Sequence, residues 1–267
     1  MAKLFLSEDG VFPIIKDHNG NLLKDELGTD LQVAGTIQGE GKLVGVPSLF
    51  VRLAGCNLRC QWNLSDGGIS TCDTSYANDG TGFSTWHEVK EVVDVVINNL
   101  DNISHVVITG GEPLLQKDSL IEFCRLLKSK KNIHITIETN GTIEAGPLDE
   151  FIDLYSVSPK LSNAVVVKSG QLPLYDVQSF IDSVRRSSNK DLQIKFVVSD
   201  YSEEDKIRNF LDKFINWNDE DIMIMPAGTT NEILHRSSKP ALAIAVKNGW
   251  RFTSRLHITL FGDKRKV

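Results

Sequence analysis

Six short apolar runs rich in β-branched residues recur from residue 48 onward: SLFVRLAG, HVVITG, IHITIET, LYSVS, LQIKFVVS and DIMIMP. Runs of this length bounded by turn residues predict strands buried on both faces, and such strands belong to parallel sheets. Between them the apolar residues change period. Val89, Val92, Val93, Val96, Ile97 and Leu100 recur at helix spacing, with Thr85 and Glu88 placed as a capping box. Leu120, Phe123, Cys124 and Leu127 mark a second helix, and residues 176–187, 202–214 and roughly 231–248 three more. The repeated βα order predicts an α/β chain, either an open doubly wound sheet or a partial barrel.

The 267 residues suit one large domain, with residues 1–32 read as an N-terminal extension and 55–83 as a long aperiodic loop. No apolar run reaches the length of a membrane span, and the N-terminus carries acids where a secretion signal needs an apolar stretch, so a cytoplasmic protein is expected. Net charge is −6 and the basic residues are scattered, which argues against nucleic acid or a membrane surface as partner.

In either α/β architecture ligands sit beyond the carboxyl ends of the strands, and the chain places its unusual residues there. Cys56, Cys60 and Cys72 follow the first run. Clustered cysteines in a cytosolic chain with a large core read as metal or redox chemistry rather than as disulfides. Three thiolates can hold three corners of an iron–sulfur cubane and leave the fourth iron open. A zinc site completed by His87 or His105 is equally open on spacing alone, although His105 heads a strand, where a structural role is expected. Cys124 falls on a core helix and reads as a small buried hydrophobe.

After the second run, TGGEP supplies Gly110 and Gly111, where backbone can approach a ligand, and Glu112, a carboxylate suited to an amino group. After the third, ETNGT offers Glu138 and Asn140 for a ribose or an amino-acid end. Arg52 stands in an otherwise apolar strand, and a buried guanidinium needs an anion, for which a substrate carboxylate held by two parallel bonds is a natural candidate.

Cys56-x3-Cys60, a later cysteine, the GGEP turn and the βα repeat together resemble the radical S-adenosylmethionine (SAM) superfamily. The succession TIQGEGKLVGVPSLFVRLAGCNLRC, CDTSYA, TGGEP, ETNGT and SVSPK is similar, more closely, to the 7-carboxy-7-deazaguanine synthase family, from about Gly35 to Lys160 and again weakly at WRFTSRLHITLFG. The resemblance implies a partial (β/α)6 barrel of the radical SAM type with an extended cluster-binding loop. It implies a [4Fe–4S] cluster on Cys56, Cys60 and Cys72, SAM on the open iron near Gly110, Gly111, Glu112, Glu138, Asn140, Ser158 and Lys160, and Mg²⁺ held in part by Thr74, with Asp73 left to hold the loop. Gln38, Glu40, Arg52, Thr109 and His257 would then meet the substrate, 6-carboxy-5,6,7,8-tetrahydropterin, whose ring contracts with loss of ammonia. A homodimer and an electron donor such as flavodoxin or ferredoxin are further expectations.

Two departures stand out. The superfamily spacing C-x3-C-x2-C is here C-x3-C-x11-C, with Trp62 where the aromatic of the short pattern would lie and Gly67 and Gly68 able to fold the insertion back. Met225 takes the place where glutamine often precedes the proline of MIMPAG. Two other readings are a glycyl-radical-enzyme activase, which gives no reason for TIQGEG, Arg52 and CDT together, and a non-catalytic zinc-stabilised binding module.

Overall fold

The computed structural model describes residues 2–23, 31–63, 69–78, 83–161, 164–166, 174–186 and 190–267. The strands are β1 (Lys3–Phe12), β2 (Thr36–Ile37), β3 (Pro47–Leu53), β4 (Cys60–Asn63), β5 (Ile69–Thr71), β6 (Thr85–Glu88), β7 (His105–Gly110), β8 (His134–Thr139), β9 (Leu154–Val157), β10 (Ala164–Val166), β11 (Asp191–Val198), β12 (Ile222–Pro226) and β13 (Arg251–Phe252). The helices are α1 (Ser75–Asn78), α2 (Val89–Asn99), α3 (Lys117–Lys130), α4 (Leu174–Arg185), α5 (Glu203–Leu211), α6 (Asn231–Asn248) and α7 (Leu256–Phe261).

The main sheet runs β13-β12-β11-β9-β8-β7-β3-β1-β6, parallel from β13 to β3. All six expected strands are present and stand in chain order. Doubly wound sheets reverse order at a switch point. This one does not, so every right-handed crossover steps the same way and the sheet curls as a partial barrel that stays open.

Period-2 alternation gives the sheet two faces. Leu49, Val51 and Leu53 of β3, Ile135 and Ile137 of β8, and Ile194 and Phe196 of β11 join the core under the helices. Helix α3 closes part of that core with Leu120, Phe123, Cys124 and Leu127, all fully buried, each worth roughly 1.5–3 kcal/mol for an apolar side chain of that size. The intervening positions, among them Arg52, Thr109, Glu138, Ser156 and Lys195, face the concave side and line a cavity.

One expectation is corrected. Thr85–Glu88 is not a capping box but strand β6, paired antiparallel with β1; the Thr85 hydroxyl bonds His87 Nε2, and Glu88 precedes α2 without a side-chain cap. The N-terminal extension contributes β1, which lies between β3 and β6 and buries Leu4 and Leu6.

Candidate functional site

A cavity of about 570 Å³ opens at the carboxyl ends of the parallel strands. Cys56, Cys60 and Cys72 line one part of it, and Gln38, Glu40, Glu138, Lys195, Arg255 and His257 another. Neither His87 nor His105 reaches it. His105 is buried with Nδ1 at 2.7 Å from the Ser48 hydroxyl and Nε2 at 2.8 Å from that of Thr136, so the zinc reading loses its histidine to structure. Cys124 is wholly buried in the helical core, as expected.

The late third cysteine has a geometric explanation. The two described ends of the insertion pair antiparallel, Gln61 with Thr71, Trp62 with Ser70 and Asn63 with Ile69. Cys60 and Cys72 are the residues next to the Gln61–Thr71 rung, so the pairing brings the two ends of the long insertion together. Strand β10 pairs with the other edge of β4 and steadies the pair. Gly67, Gly68 and the side chain of Trp62 lie outside the described part of the chain. At the far end, Gly55 and Cys56 donate their backbone N–H groups to the carbonyls of Ala77 and Asn78, which ties the first cysteine to the CDTSYA turn.

Burial pushes the Cys56 thiol up and that of Cys60 up to about 11, while the Lys160 ammonium pulls both down. A metal would take both as thiolates. Among the described residues no three His, Cys, Asp or Glu side chains already stand at metal-ligand spacing. Even so, the three thiols line one cavity beside a cation, with the Thr74 hydroxyl 3.3 Å from Cys72 Sγ, and this donor set suits a thiolate-bound cluster.

The two glycines of TGGEP are required by backbone contact. Gly110 has φ +146°, and a Cβ at Gly111 would collide with the carbonyl of Gly55. Glu112 is fully buried and turned away from the cavity, accepting from Leu114 N at 3.0 Å, Thr139 Oγ1 at 2.8 Å and Asn140 N at 2.8 Å. Burial raises its pKa against these three donors, and two of them tie it to the ETNGT loop. Asn140 in turn bonds Asn57 Oδ1, and Asn57 Nδ2 donates to Thr142, so ETNGT grips the cysteine loop. Ser158 and Lys160 both line the cavity, 3.3 Å apart.

On the other wall, Glu40 is held by Lys195 at 2.7 Å and Arg255 at 3.0 Å, with His257 Nε2 at 3.9 Å. Burial alone would raise the Glu40 carboxyl, but Lys195, Arg255 and His257 together hold it well below the usual carboxylate range. Glu138, read from sequence as cofactor-side, stands beside this group: it accepts from Thr109 Oγ1 at 2.9 Å and Gln38 Nε2 at 3.4 Å and pairs with Lys195 at 3.5 Å. The His257 ring lies against Gly39, where any Cβ would collide with it. Asp73 meets Arg255 at 3.5 Å, which holds the loop.

Arg52 meets an anion from its own chain. Its Nε is 3.0 Å from Asp9 Oδ2, a charge contact lacking hydrogen-bond angles, while the guanidinium packs over Phe12 and still lines the cavity. Lys195 and Arg255 line the cavity and Asp9 stands behind Arg52, and sequence reasoning passed over all three. Lys195 carried the same signal as Arg52, a charge inside an apolar strand.

The Radical SAM superfamily model matches residues 51–161. The 7-carboxy-7-deazaguanine synthase of Halobacterium salinarum is 35% identical over 244 residues, covering 85% of this chain and 88% of that protein. This chain belongs to that family. A further member, from Pyrobaculum aerophilum, is 34% identical over 239 residues, covering 88% of this chain and 95% of its own. The crystal structure of QueE from Escherichia coli matches with a TM-score of 0.62 at 21% identity, over 92% of this chain and 95% of that one. The structure described as native anSMEcpe with bound AdoMet gives 0.54 at 18% identity, over 82% and 67%, and shares the fold. Within the 7-carboxy-7-deazaguanine synthase family, then, this chain lines one cavity with its three thiols and with the carboxylates of Glu40 and Glu138.

Proposed function

We propose that the chain is a radical SAM lyase that converts 6-carboxy-5,6,7,8-tetrahydropterin to 7-carboxy-7-deazaguanine with release of ammonia. One observation carries this reading beyond family membership: a single cavity joins three thiols to a wall of Gln38, Glu40, Arg52, Thr109, Glu138 and His257, whose donors and acceptors suit a carboxylated, N–H-rich ring.

Cys56, Cys60 and Cys72 would hold the [4Fe–4S] cluster, and the bare backbone of Gly110 and Gly111 with Asn140, Ser158 and Lys160 would receive SAM. When bound, cluster and SAM would supply the one-electron radical chemistry that the ring contraction needs. The protein's part is to bind, orient and shield. Arg52 takes the substrate carboxylate, its direction fixed by Asp9. Gln38 and the carboxylates of Glu40 and Glu138 engage the ring's amide edge, and Thr109 steadies Glu138 by its 2.9 Å bond. Thr74 would give Mg²⁺ one hydroxyl, the rest of its shell being water and substrate oxygen, since Mg²⁺ keeps several waters. A small one-electron donor would reduce the cluster.

The test is anaerobic reconstitution with iron and sulfide, then incubation with SAM, reductant, Mg²⁺ and the carboxytetrahydropterin, with products read by mass. The expected product is 7-carboxy-7-deazaguanine. SAM cleavage with the pterin left unchanged would keep the superfamily chemistry and overturn the substrate.

A further inference from the structure

Lys195 is a buried cation that the proposed chemistry leaves without a task. It projects from the middle of β11 with a side chain only 7% exposed, its Nζ 2.7 Å from Glu40 Oε2 and 3.5 Å from Glu138 Oε1. Burying an ammonium this deeply is costly unless it is matched, and here it is matched twice.

The charged groups around it come from every neighbouring element. Glu40 follows β2, Glu138 ends β8, and Arg255 and His257 come from the C-terminal segment. Arg255 cannot replace Lys195, because it spans Glu40, Asp73 and the Gly228 carbonyl and makes no contact with Glu138. Among the described residues, Lys195 is therefore the cation that touches both carboxylates.

Resting on the substrate reading above, we infer that Lys195 is a positioning residue that holds Glu40 and Glu138 as a matched pair of anions and thereby selects a neutral heterocycle edge bearing two adjacent N–H donors. Arg255 matches the charge of Glu40 but not that of Glu138, so without Lys195 the two carboxylates would share one cation and repel each other. The two differ in openness. Glu40 is 13% exposed with both oxygens engaged, whereas Glu138 is 24% exposed, and its Oε1 has only the long contacts to Gln38 and Lys195. An anionic Glu138 accepts a 2-amino group and the ring N–H beside it. A 2-oxo group in that place would set oxygen against the carboxylate and be rejected. Burial would pull the Lys195 ammonium down, but Glu40 and Glu138 hold it above its ordinary value, so the cation persists across the working pH range.

The experiment titrates the reconstituted, SAM-loaded protein calorimetrically with 6-carboxypterin and with 6-carboxylumazine, its 2-oxo counterpart. The parent should prefer the pterin by at least about tenfold, as expected for a donor bound to a charged acceptor. Lys195→Met should lose most of that preference and bind the pterin with an affinity that varies between about pH 5 and about pH 8, as one carboxylate takes up a proton. Lys195→Arg should restore the preference. Lys195→Met/Glu40→Gln, which exchanges the ion pair for neutral groups of similar volume, should bind the pterin without that pH dependence. SAM affinity should stay constant throughout.

A Lys195→Met protein that keeps the parent's preference and flat profile overturns the inference alone. If Lys195→Met does not fold, a pH-dependent double variant overturns it instead. A parent that binds neither compound overturns the pterin reading and the role of Lys195 with it.

Discussion

Gln61 pairs with Thr71, so the two cysteines that flank this rung, Cys60 and Cys72, both leave the same end of the paired strands β4 and β5. The pairing of the two strands brings the ends of the insertion together, so the third thiol stands where a two-residue link would also put it. Replacing residues 61–71 by a two-residue link should therefore leave cluster assembly intact, with about four irons per chain after reconstitution. Cys72→Ala should abolish it. Iron and sulfide analysis beside the visible spectrum decides the matter, and a shortened variant that folds but binds no iron would sink the account.

Gly111 and Gly55 meet backbone to backbone. A methyl group at Gly111 has no flexible neighbour to push aside, because the Gly55 carbonyl belongs to the same turn that carries Cys56. Gly111→Ala should cost about 1–3 kcal/mol, typical of overpacking. For a chain of this size that corresponds to a melting temperature lowered by several degrees. Gly45, whose added Cβ would meet nothing, has φ +88°, so Gly45→Ala carries backbone strain without the collision and serves as a comparison for the contact term.

The six parallel strands were legible because burial on both sides left continuous apolar runs, and the helices because their stripes kept period. The concave wall was only half legible. A charge interrupting an apolar strand betrayed Arg52 and equally marked Lys195, yet which anion each would find depends on segments far away in sequence. Asp9 comes from β1, a strand that also buries Ser7 and so breaks the alternation begun by Leu4 and Leu6. Thr85 and Glu88 have the right spacing for a capping box, but pairing with β1 overrode that local preference. The partners of Glu112 were hidden for a related reason: three donors on two turns become its neighbours only when β7 and β8 align.

Asp9 gathers Arg52 at 3.0 Å, Arg265 at 2.5 Å and the Tyr76 hydroxyl at 2.6 Å around one buried carboxylate. Without its charge, Arg52 keeps its place in the cavity wall but loses its direction. Asp9→Asn should raise KM for the pterin roughly tenfold, the worth of one charge-assisted contact, while SAM affinity stays unchanged. Steady-state kinetics with a separate SAM titration checks this; equal losses in both would mean that the variant has merely loosened the fold.

His105 sits between Ser48 and Thr136 with no acidic partner within hydrogen-bond reach, and burial first, then neighbouring His134, push its pKa down to about 4. His134 is lowered as well, chiefly by burial. A base whose folded pKa lies below its unfolded value binds fewer protons when folded, so stability should be complete above about pH 6.5 and fall as pH drops toward 4. At the low end the loss from His105 alone should approach ~3 kcal/mol. Urea midpoints measured across this window on the parent and on His105→Gln, which keeps a hydrogen-bonding side chain but cannot take the proton, should show a shallower slope in the variant. Equal slopes would mean that His105 is not what makes the fold acid-sensitive.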